Sequence, residues 1–173
     1  VHLAGAPSHP NAGLFEGLLQ GAPTWADVEW LLGTTRLPLL LKGVLHADDA
    51  RQAVALGAAG LVVSNHGGRT LDTAVATADA LPRIADAVGD ALPLLVDGGI
   101  RRGTDVLKAV ALGATAVLVG RPVLFALAAN GAQGVAHVLR LLRDELEIAM
   151  ALTGCRHLHD VHRGLFFNAP AGT

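Results

Sequence analysis

The stretch LPLLVDGGIRRG, residues 92–103, indicates the fold most directly. Its first half is apolar at successive positions, which predicts a strand buried on both faces, as in a parallel sheet covered by helices. Its second half places a glycine pair and basic residues where a helix begins. Three similar apolar runs occur elsewhere in the chain, namely LPLLLK (37–42), GLVVSN (60–65) and TAVLVG (115–120).

Helical patterns separate these runs, which predicts βαβ units. The expected helices are one from Thr24 to a stop at Gly33, one with Asp48 and Asp49 in its first turn and a stop at Gly57, and two spanning 74–88 and about 104–112. Beyond Arg121 we expect a short helix and then a long one from near Gly134. The apolar face of the long helix is predicted to consist of Val135, Val138, Leu139, Leu142, Leu146 and Met150.

Polar residues follow the predicted strands at their carboxyl ends. They are Lys42 after the first run, Ser64, Asn65 and His66 after the second, Asp97 after the third, and Gly120 and Arg121 after the fourth. A (β/α)₈ barrel builds its active site on that face, and it needs eight strands and about 250 residues. The sequence therefore predicts an α/β fold that is half of a TIM barrel.

The composition excludes several classes of protein. The 173 residues carry 13 Lys and Arg against 15 Asp and Glu, and the net charge of -2 does not favour nucleic-acid binding. The single Cys155 excludes a disulfide framework and suits a reducing compartment, so we expect a soluble, cytoplasmic protein. Neither the opening residues nor the uncharged stretch between Arg121 and Arg140 has the pattern of a signal peptide or a membrane span.

The motif SNHGGR, residues 64–69, combines two functional groups. The imidazole of His66 can take up and release a proton near neutral pH, and the guanidinium of Arg69 offers a planar fork for a carboxylate. The two glycines between them allow a tight turn and a close approach of substrate. Together they indicate a substrate of the 2-hydroxy-acid type, although an ordinary turn with a solvated arginine would show the same residues.

The motifs DGGIRRG (97–103) and GRP (120–122) each join a strand end to a helix start. Free backbone N–H groups at a helix N-terminus bind anions, and barrels of this kind hold phosphate after their last two strands. Lys42 ends an otherwise apolar run, so its ammonium should meet an anion or extend from the barrel rim to solvent. We interpret these motifs as a phosphate site.

These residues resemble the motifs of the FMN-dependent 2-hydroxy-acid oxidases and dehydrogenases, the family of glycolate oxidase, lactate oxidase and mandelate dehydrogenase. The resemblance covers residues 24–155 with little interruption, and SNHGGR, DGGIRRG and GRP together make it specific. It implies that the protein oxidises a small (S)-2-hydroxy acid, lactate-like or glycolate-like, to the 2-oxo acid.

The resemblance also implies roles for individual residues. His66 would be the catalytic base, and His66 and Arg69 would bind the substrate. The residues implied for FMN are Lys42, Ser64, Asp97, Gly98, Gly99, Ile100, Arg101, Gly120 and Arg121. Dioxygen, a quinone or a cytochrome would accept the electrons, and relatives commonly form homotetramers.

Family members are longer and supply four strands before this region. The resemblance therefore implies that this chain is the C-terminal half, about strands 5–8, of a TIM barrel, with a partner N-terminal half in the same gene product or in a second chain. Residues 1–23 would be the distal part of the loop after strand 4, 24–155 the barrel half, and 156–173 a surface tail. The cysteine and histidines near that tail fit no common zinc spacing, so we expect no metal site. Two alternatives stay open: a non-catalytic half-barrel for FMN binding, phosphate binding or assembly, and another phosphate-binding barrel enzyme.

Overall fold

In a computed structural model of the chain, residues 21–167 are described, and the chain divides into two compact units, residues 1–37 and 38–173. Within the first unit, helix α1 spans Trp25–Thr34. The Asp27 carboxylate accepts the hydroxyl and the backbone N–H of Thr24, both at 2.7 Å, which lowers the pKa of Asp27. The predicted start at Thr24 is confirmed. Gly33, predicted as the stop, lies inside the helix.

The second unit is an α/β fold with one parallel sheet. Its elements are β1 (Leu40–Val44), α2 (Ala47–Leu56), β2 (Gly60–Val63), α3 (Thr77–Val88), β3 (Leu94–Val96), α4 (Gly103–Ala111), β4 (Ala116–Val117) and α5 (Arg121–Leu152). The four strands pair in the order β1-β2-β3-β4, and every pair is parallel. The predicted alternation of strands and helices is therefore confirmed, and it brings the carboxyl ends of all four strands to one edge.

Burial is greatest in the centre of the sheet. All four residues of β2 are buried, and Leu81 and Ile84 of α3 are buried with them. Strand β1, at one edge, alternates between exposed and partly buried residues up to the buried Val44, and Leu40 is 41% exposed. The continuous apolar pattern predicts burial on two faces, and only the inner strands β2 and β3 show it. Strand β1 is less buried because it lies at the edge of the sheet.

Helix α5 contains a break that the sequence predicts. Asn130 and Gly131 have non-helical backbone angles, so a short helix precedes a long one. The part of α5 with few charged residues reaches a mean hydropathy of 1.3, which is enough by length and composition to cross a membrane. The break at Asn130 and Gly131 lies within this apolar part of α5. Because a membrane span needs about 20 continuous apolar residues, the break favours the expectation that α5 does not span a bilayer.

The predicted apolar face of α5 is correct only in part. Leu142 is buried, whereas Leu139 is 51% exposed. Leu146 and Met150 of the predicted face pack against a buried cluster that also contains Ala149, Leu107 of α4 and Val161 beyond α5. The helix is therefore oriented toward α4.

Residues 156–167 fold back onto the unit rather than forming the expected surface tail. Val161 is 7% exposed, and Arg163 donates to both carboxylate oxygens of Asp86 on α3, at 2.8 and 3.1 Å, and to the carbonyl of Pro82 at 3.0 Å. Backbone N–H groups of His157 and Arg156 lower the pKa of Asp160, which therefore closes its turn as a carboxylate. Long-range contacts of this kind leave no local pattern, which is why the sequence did not predict them.

Helices α4 and α5 meet at a close backbone contact. A Cβ atom on Gly103 would overlap the backbone nitrogen of Leu146, so only glycine allows this approach. The Glu145 side chain accepts the N–H of Gly103 at 2.8 Å and thereby closes the first turn of α4.

The Gly103→Ala substitution should therefore destabilise the protein by about 1–3 kcal/mol, because the backbone of α5 must move to admit a methyl group. Thermal unfolding of the full gene product, followed by circular dichroism, would measure the loss. Gly33→Ala is the matched control: a Cβ there meets nothing within 4 Å, and alanine is the better helix former. Equal melting temperatures for the two variants would contradict the packing argument.

Candidate active site

The carboxyl edge of the sheet holds a cleft of about 820 Å³. Its lining contains all of the predicted site residues except Ser64, namely Lys42, His66, Arg69, Asp97, Gly98, Gly99, Ile100, Arg101, Gly120 and Arg121. Residues from the ends of four different strands thus lie at one surface. Leu118, Leu124 and Phe125 add an apolar flank that the sequence analysis did not single out.

Lys42 belongs to a polar network beneath the cleft. Its Nζ donates to the Ser64 hydroxyl at 2.8 Å and lies 3.1 Å from Oδ2 of Asp97. Ser64 has no exposed surface, whereas 44% of the Lys42 side chain is exposed. The ammonium is therefore held by two partners from β2 and β3 while part of it faces the cleft, which is the paired arrangement that a half-buried charge requires.

Strand β1 does not end at Lys42, as the sequence predicts, but continues to Val44. The register with β2 shifts between Lys42 and Val44, and Gly43 has φ of 101°, which is a glycine-favoured bulge. A Cβ on Gly43 would lie 3.0 Å from Cε1 of His66, so the imidazole ring rests against the bare backbone of β1.

His66 has a backbone conformation that non-glycine residues rarely adopt, with φ of 55°. Its N–H donates to Oγ of Ser64 at 3.1 Å, a local bond between residues two apart. Its side chain is exposed at the cleft. Outliers of this kind persist where the surroundings hold them, and here Ser64 and the bulge at Gly43 supply that support.

The loop that carries Arg69 is ordered by Asn65, a residue to which the sequence analysis assigned no role of its own. The Asn65 amide oxygen accepts the N–H of Gly68 at 3.2 Å, and its amide nitrogen donates to the carbonyl of Val75 at 3.3 Å. An asparagine at the start of a glycine turn is the sequence signal for such a loop. Arg121 donates to the carbonyl of Gly67 at 3.3 Å, which ties this loop to the start of α5.

The basic end of the cleft lies at Arg101 and Arg121, both of which are exposed there. The start of α4 does not present the free N–H groups that the sequence predicts. Oδ2 of Asp105 accepts the N–H groups of Arg101 and Arg102, at 3.0 and 2.9 Å, and Glu145 accepts the next one. Carboxylates therefore already occupy the start of α4, whereas Gly120 at the start of α5 makes no side-chain cap hydrogen bond. The positive groups that remain at this end of the cleft are the two guanidinium groups.

Oδ1 of Asp97 is buried and has no hydrogen-bond partner among the described residues, while Oδ2 pairs with Lys42. A buried acceptor of this kind is costly unless a donor reaches it. A ligand that carries hydroxyl donors next to a phosphate would satisfy Asp97 and the two arginines together. The cleft thus combines an imidazole, three guanidinium groups and an ammonium that is paired with a carboxylate.

No cluster of three or more histidine, cysteine, aspartate or glutamate side chains suited to a metal ion occurs among residues 21–167. Cys155 is buried, and the rings of His157 and His159 stack with centroids 5.0 Å apart.

Comparison with known proteins identifies relatives of high sequence identity. The chain is 55% identical over 159 residues to an L-lactate oxidase from Alicycliphilus denitrificans, a match that covers 90% of this chain and 44% of the relative. It is 59% identical over 140 residues to glycolate oxidase 1 from Zea mays, covering 81% of this chain and 38% of the relative. The chain thus spans less than half the length of the curated relatives it matches.

Solved structures with the same fold include a mandelate oxidase with benzoyl-formic acid. That structure is 55% identical, has a TM-score of 0.79, and matches 82% of this chain and 42% of its own. A mandelate oxidase mutant with a monooxide FMN adduct matches with the same identity and TM-score. The family model described as FMN-dependent dehydrogenase matches residues 3–168. The chain therefore belongs to the FMN-dependent dehydrogenase family.

Proposed function

We propose that this chain is the C-terminal half, about strands 5–8, of a (β/α)₈ barrel. In this proposal the complete protein oxidises a small (S)-2-hydroxy acid, such as lactate or glycolate, to the 2-oxo acid with FMN. The observation that carries the proposal is the single cleft that contains His66, Arg69, Lys42 and the basic residues of the anion site. The names of the relatives, which are oxidases of lactate, glycolate and mandelate, support the same substrate class.

The donor set of the cleft fits FMN. Arg101 and Arg121 would neutralise its phosphate, and the unpartnered Oδ1 of Asp97 would accept a hydrogen bond from its sugar-alcohol chain. Lys42, held by Ser64 and Asp97, would place its positive charge at the flavin ring. The remaining residues proposed for FMN are Gly98, Gly99, Ile100 and Gly120. When bound, FMN supplies a two-electron acceptor that no side chain of the protein can provide.

His66 and Arg69 would handle the substrate. The guanidinium of Arg69 would bind the substrate carboxylate through two parallel hydrogen bonds and thereby fix its orientation. An imidazole nitrogen of His66 would accept the proton that leaves the substrate and later release it to solvent. The left-handed backbone of His66 aims the ring across the end of β1, where the bulge at Gly43 leaves room for it.

The outer edges of β1 and β4 are the natural contacts for the N-terminal half of the barrel. Leu40 on β1 and Leu118 after β4 expose 41% and 39% of their surface, and each strand has one side without a partner strand in the described sheet. Strands from the other half, in the same gene product or in a second chain, would pair there. The electron acceptor, the homotetramer, the cytoplasmic location and the division at residues 23 and 155 remain predictions. Residues 1–20 and 168–173, which include most of the proposed loop and the end of the tail, lie outside the described residues.

The complete gene product tests this proposal directly. We expect the purified protein to carry a yellow flavin and to lose its visible absorbance when L-lactate or glycolate is added without oxygen. A flavin that binds but stays oxidised with every 2-hydroxy acid would favour the non-catalytic module. A protein that binds no flavin, even with added FMN, would contradict both.

The His66→Gln substitution should leave FMN bound and slow anaerobic flavin reduction by about 10²–10⁴-fold, the usual contribution of a general base. Stopped-flow absorbance at saturating substrate measures the rate. His137→Gln on α5 is the matched control, because His137 is exposed and does not line the cleft. Equal reduction rates in the two variants would refute the assignment of the base.

The Arg69→Lys substitution should raise KM by about 10- to 100-fold, because lysine keeps the charge but loses the second hydrogen bond to the carboxylate. Steady-state kinetics at several substrate concentrations would show the change. Arg83→Lys on the exposed surface of α3 should leave KM unchanged. If both variants keep the wild-type KM, Arg69 does not bind the carboxylate.

A further inference from the structure

We propose that Ser64 is a positioning residue whose single hydroxyl oxygen holds both the left-handed backbone of His66 and the ammonium of Lys42. This inference rests on the proposed function only for its kinetic consequence. Its structural content depends on two hydrogen bonds to the Ser64 hydroxyl, one from the backbone N–H of His66 and one from the Lys42 ammonium.

Ser64 differs from the other site residues in its burial. It is 0% exposed and does not line the cleft, whereas His66 and Lys42 both do. A residue beneath the floor of the cleft influences the chemistry there by holding the residues above it. A direct contact of Ser64 with FMN stays a prediction.

The hydroxyl of Ser64 accepts two hydrogen bonds. The N–H of His66 donates to it at 3.1 Å, and Nζ of Lys42 donates at 2.8 Å. A hydroxyl oxygen has two acceptor lone pairs, so both are in use. Removal of this oxygen would take one acceptor away from both donors. Water cannot easily replace it, because Ser64 has no exposed surface.

Ser64 is well placed to fix these groups because it directly follows the most buried strand. Residues Gly60–Val63 of β2 are all buried and pair with β1 on one side and β3 on the other. The Ser64 oxygen therefore has a fixed position. Its two hydrogen bonds fix the N–H of His66, two residues later, and the ammonium of Lys42 on the neighbouring strand.

The strained conformation of His66 makes this bond consequential. A φ of 55° is unfavourable for histidine, so the backbone would relax if nothing held it. Relaxation would move the imidazole ring from its place against Gly43, where a Cβ would approach Cε1 to 3.0 Å. Small displacements of a catalytic group, about 1 Å, lower rates by about 10²-fold.

The first test measures the His66 amide in the complete protein. In Ser64→Ala we expect hydrogen exchange of that amide to become about tenfold faster, and in Ser64→Thr, which retains the hydroxyl, we expect the wild-type rate. Thr115→Val is the matched control. Its hydroxyl accepts the N–H of Leu94 at 3.2 Å where β4 begins, so removing it deletes a similar bond away from the cleft. Unchanged exchange at His66 in Ser64→Ala would overturn the proposal.

The second test measures flavin reduction in the same variants, loaded to saturation with FMN. Ser64→Ala should reduce about 10- to 100-fold more slowly at saturating 2-hydroxy acid while KM changes less than threefold, since Arg69 is untouched. Ser64→Thr should recover most of the rate, and Thr115→Val should retain it. A wild-type rate in folded, FMN-loaded Ser64→Ala, or an equal loss in Thr115→Val, would refute a positioning role. If the wild-type flavin itself is never reduced, the proposed function fails, and the exchange experiment alone decides about Ser64.

Discussion

Parallel strand pairing is the constraint on which the rest of this structure depends. Because β1, β2, β3 and β4 run in the same direction, their carboxyl ends lie at one edge, and every connection between them must return along a helix. Lys42, His66, Asp97 and Arg121 meet there although they belong to four different strand ends. The helices that return the chain also cover the sheet, so the inner strands are buried and the edge strands retain exposed apolar residues.

The site is organised from beneath by buried polar atoms. Ser64 is fully buried and accepts from two donors, and one oxygen of Asp97 pairs with Lys42 while the other has no partner among the described residues. Buried polar groups in proteins are nearly always hydrogen-bonded. The satisfied part of the network therefore gives the cleft its geometry. At the basic end of the cleft, Asp105 and Glu145 close the start of α4, so the exposed positive charge there belongs to the arginines.

Much of the fold and most of the candidate site could be predicted from sequence. Apolar runs and their helical spacers are local patterns, so the four strands, the capped start of α1 and the end of α2 at Gly57 are confirmed. The errors lie where distant residues decide the outcome. Strand β1 passes Lys42 because the bulge at Gly43 lets pairing continue. Val161 is buried rather than in a surface tail, because it packs against residues of α4 and α5.

The sequence by itself determined the parallel α/β architecture and the chemical groups at the strand ends, because hydrophobic periodicity, capping residues and turn glycines act over a few neighbouring positions. Only the tertiary structure decided how those groups are held. The contact of Gly43 with the His66 ring, the shared hydroxyl of Ser64 and the closure of α4 by Glu145 each join residues from different elements. Such contacts depend on packing in three dimensions, where a shift of one residue in register changes which side chains meet.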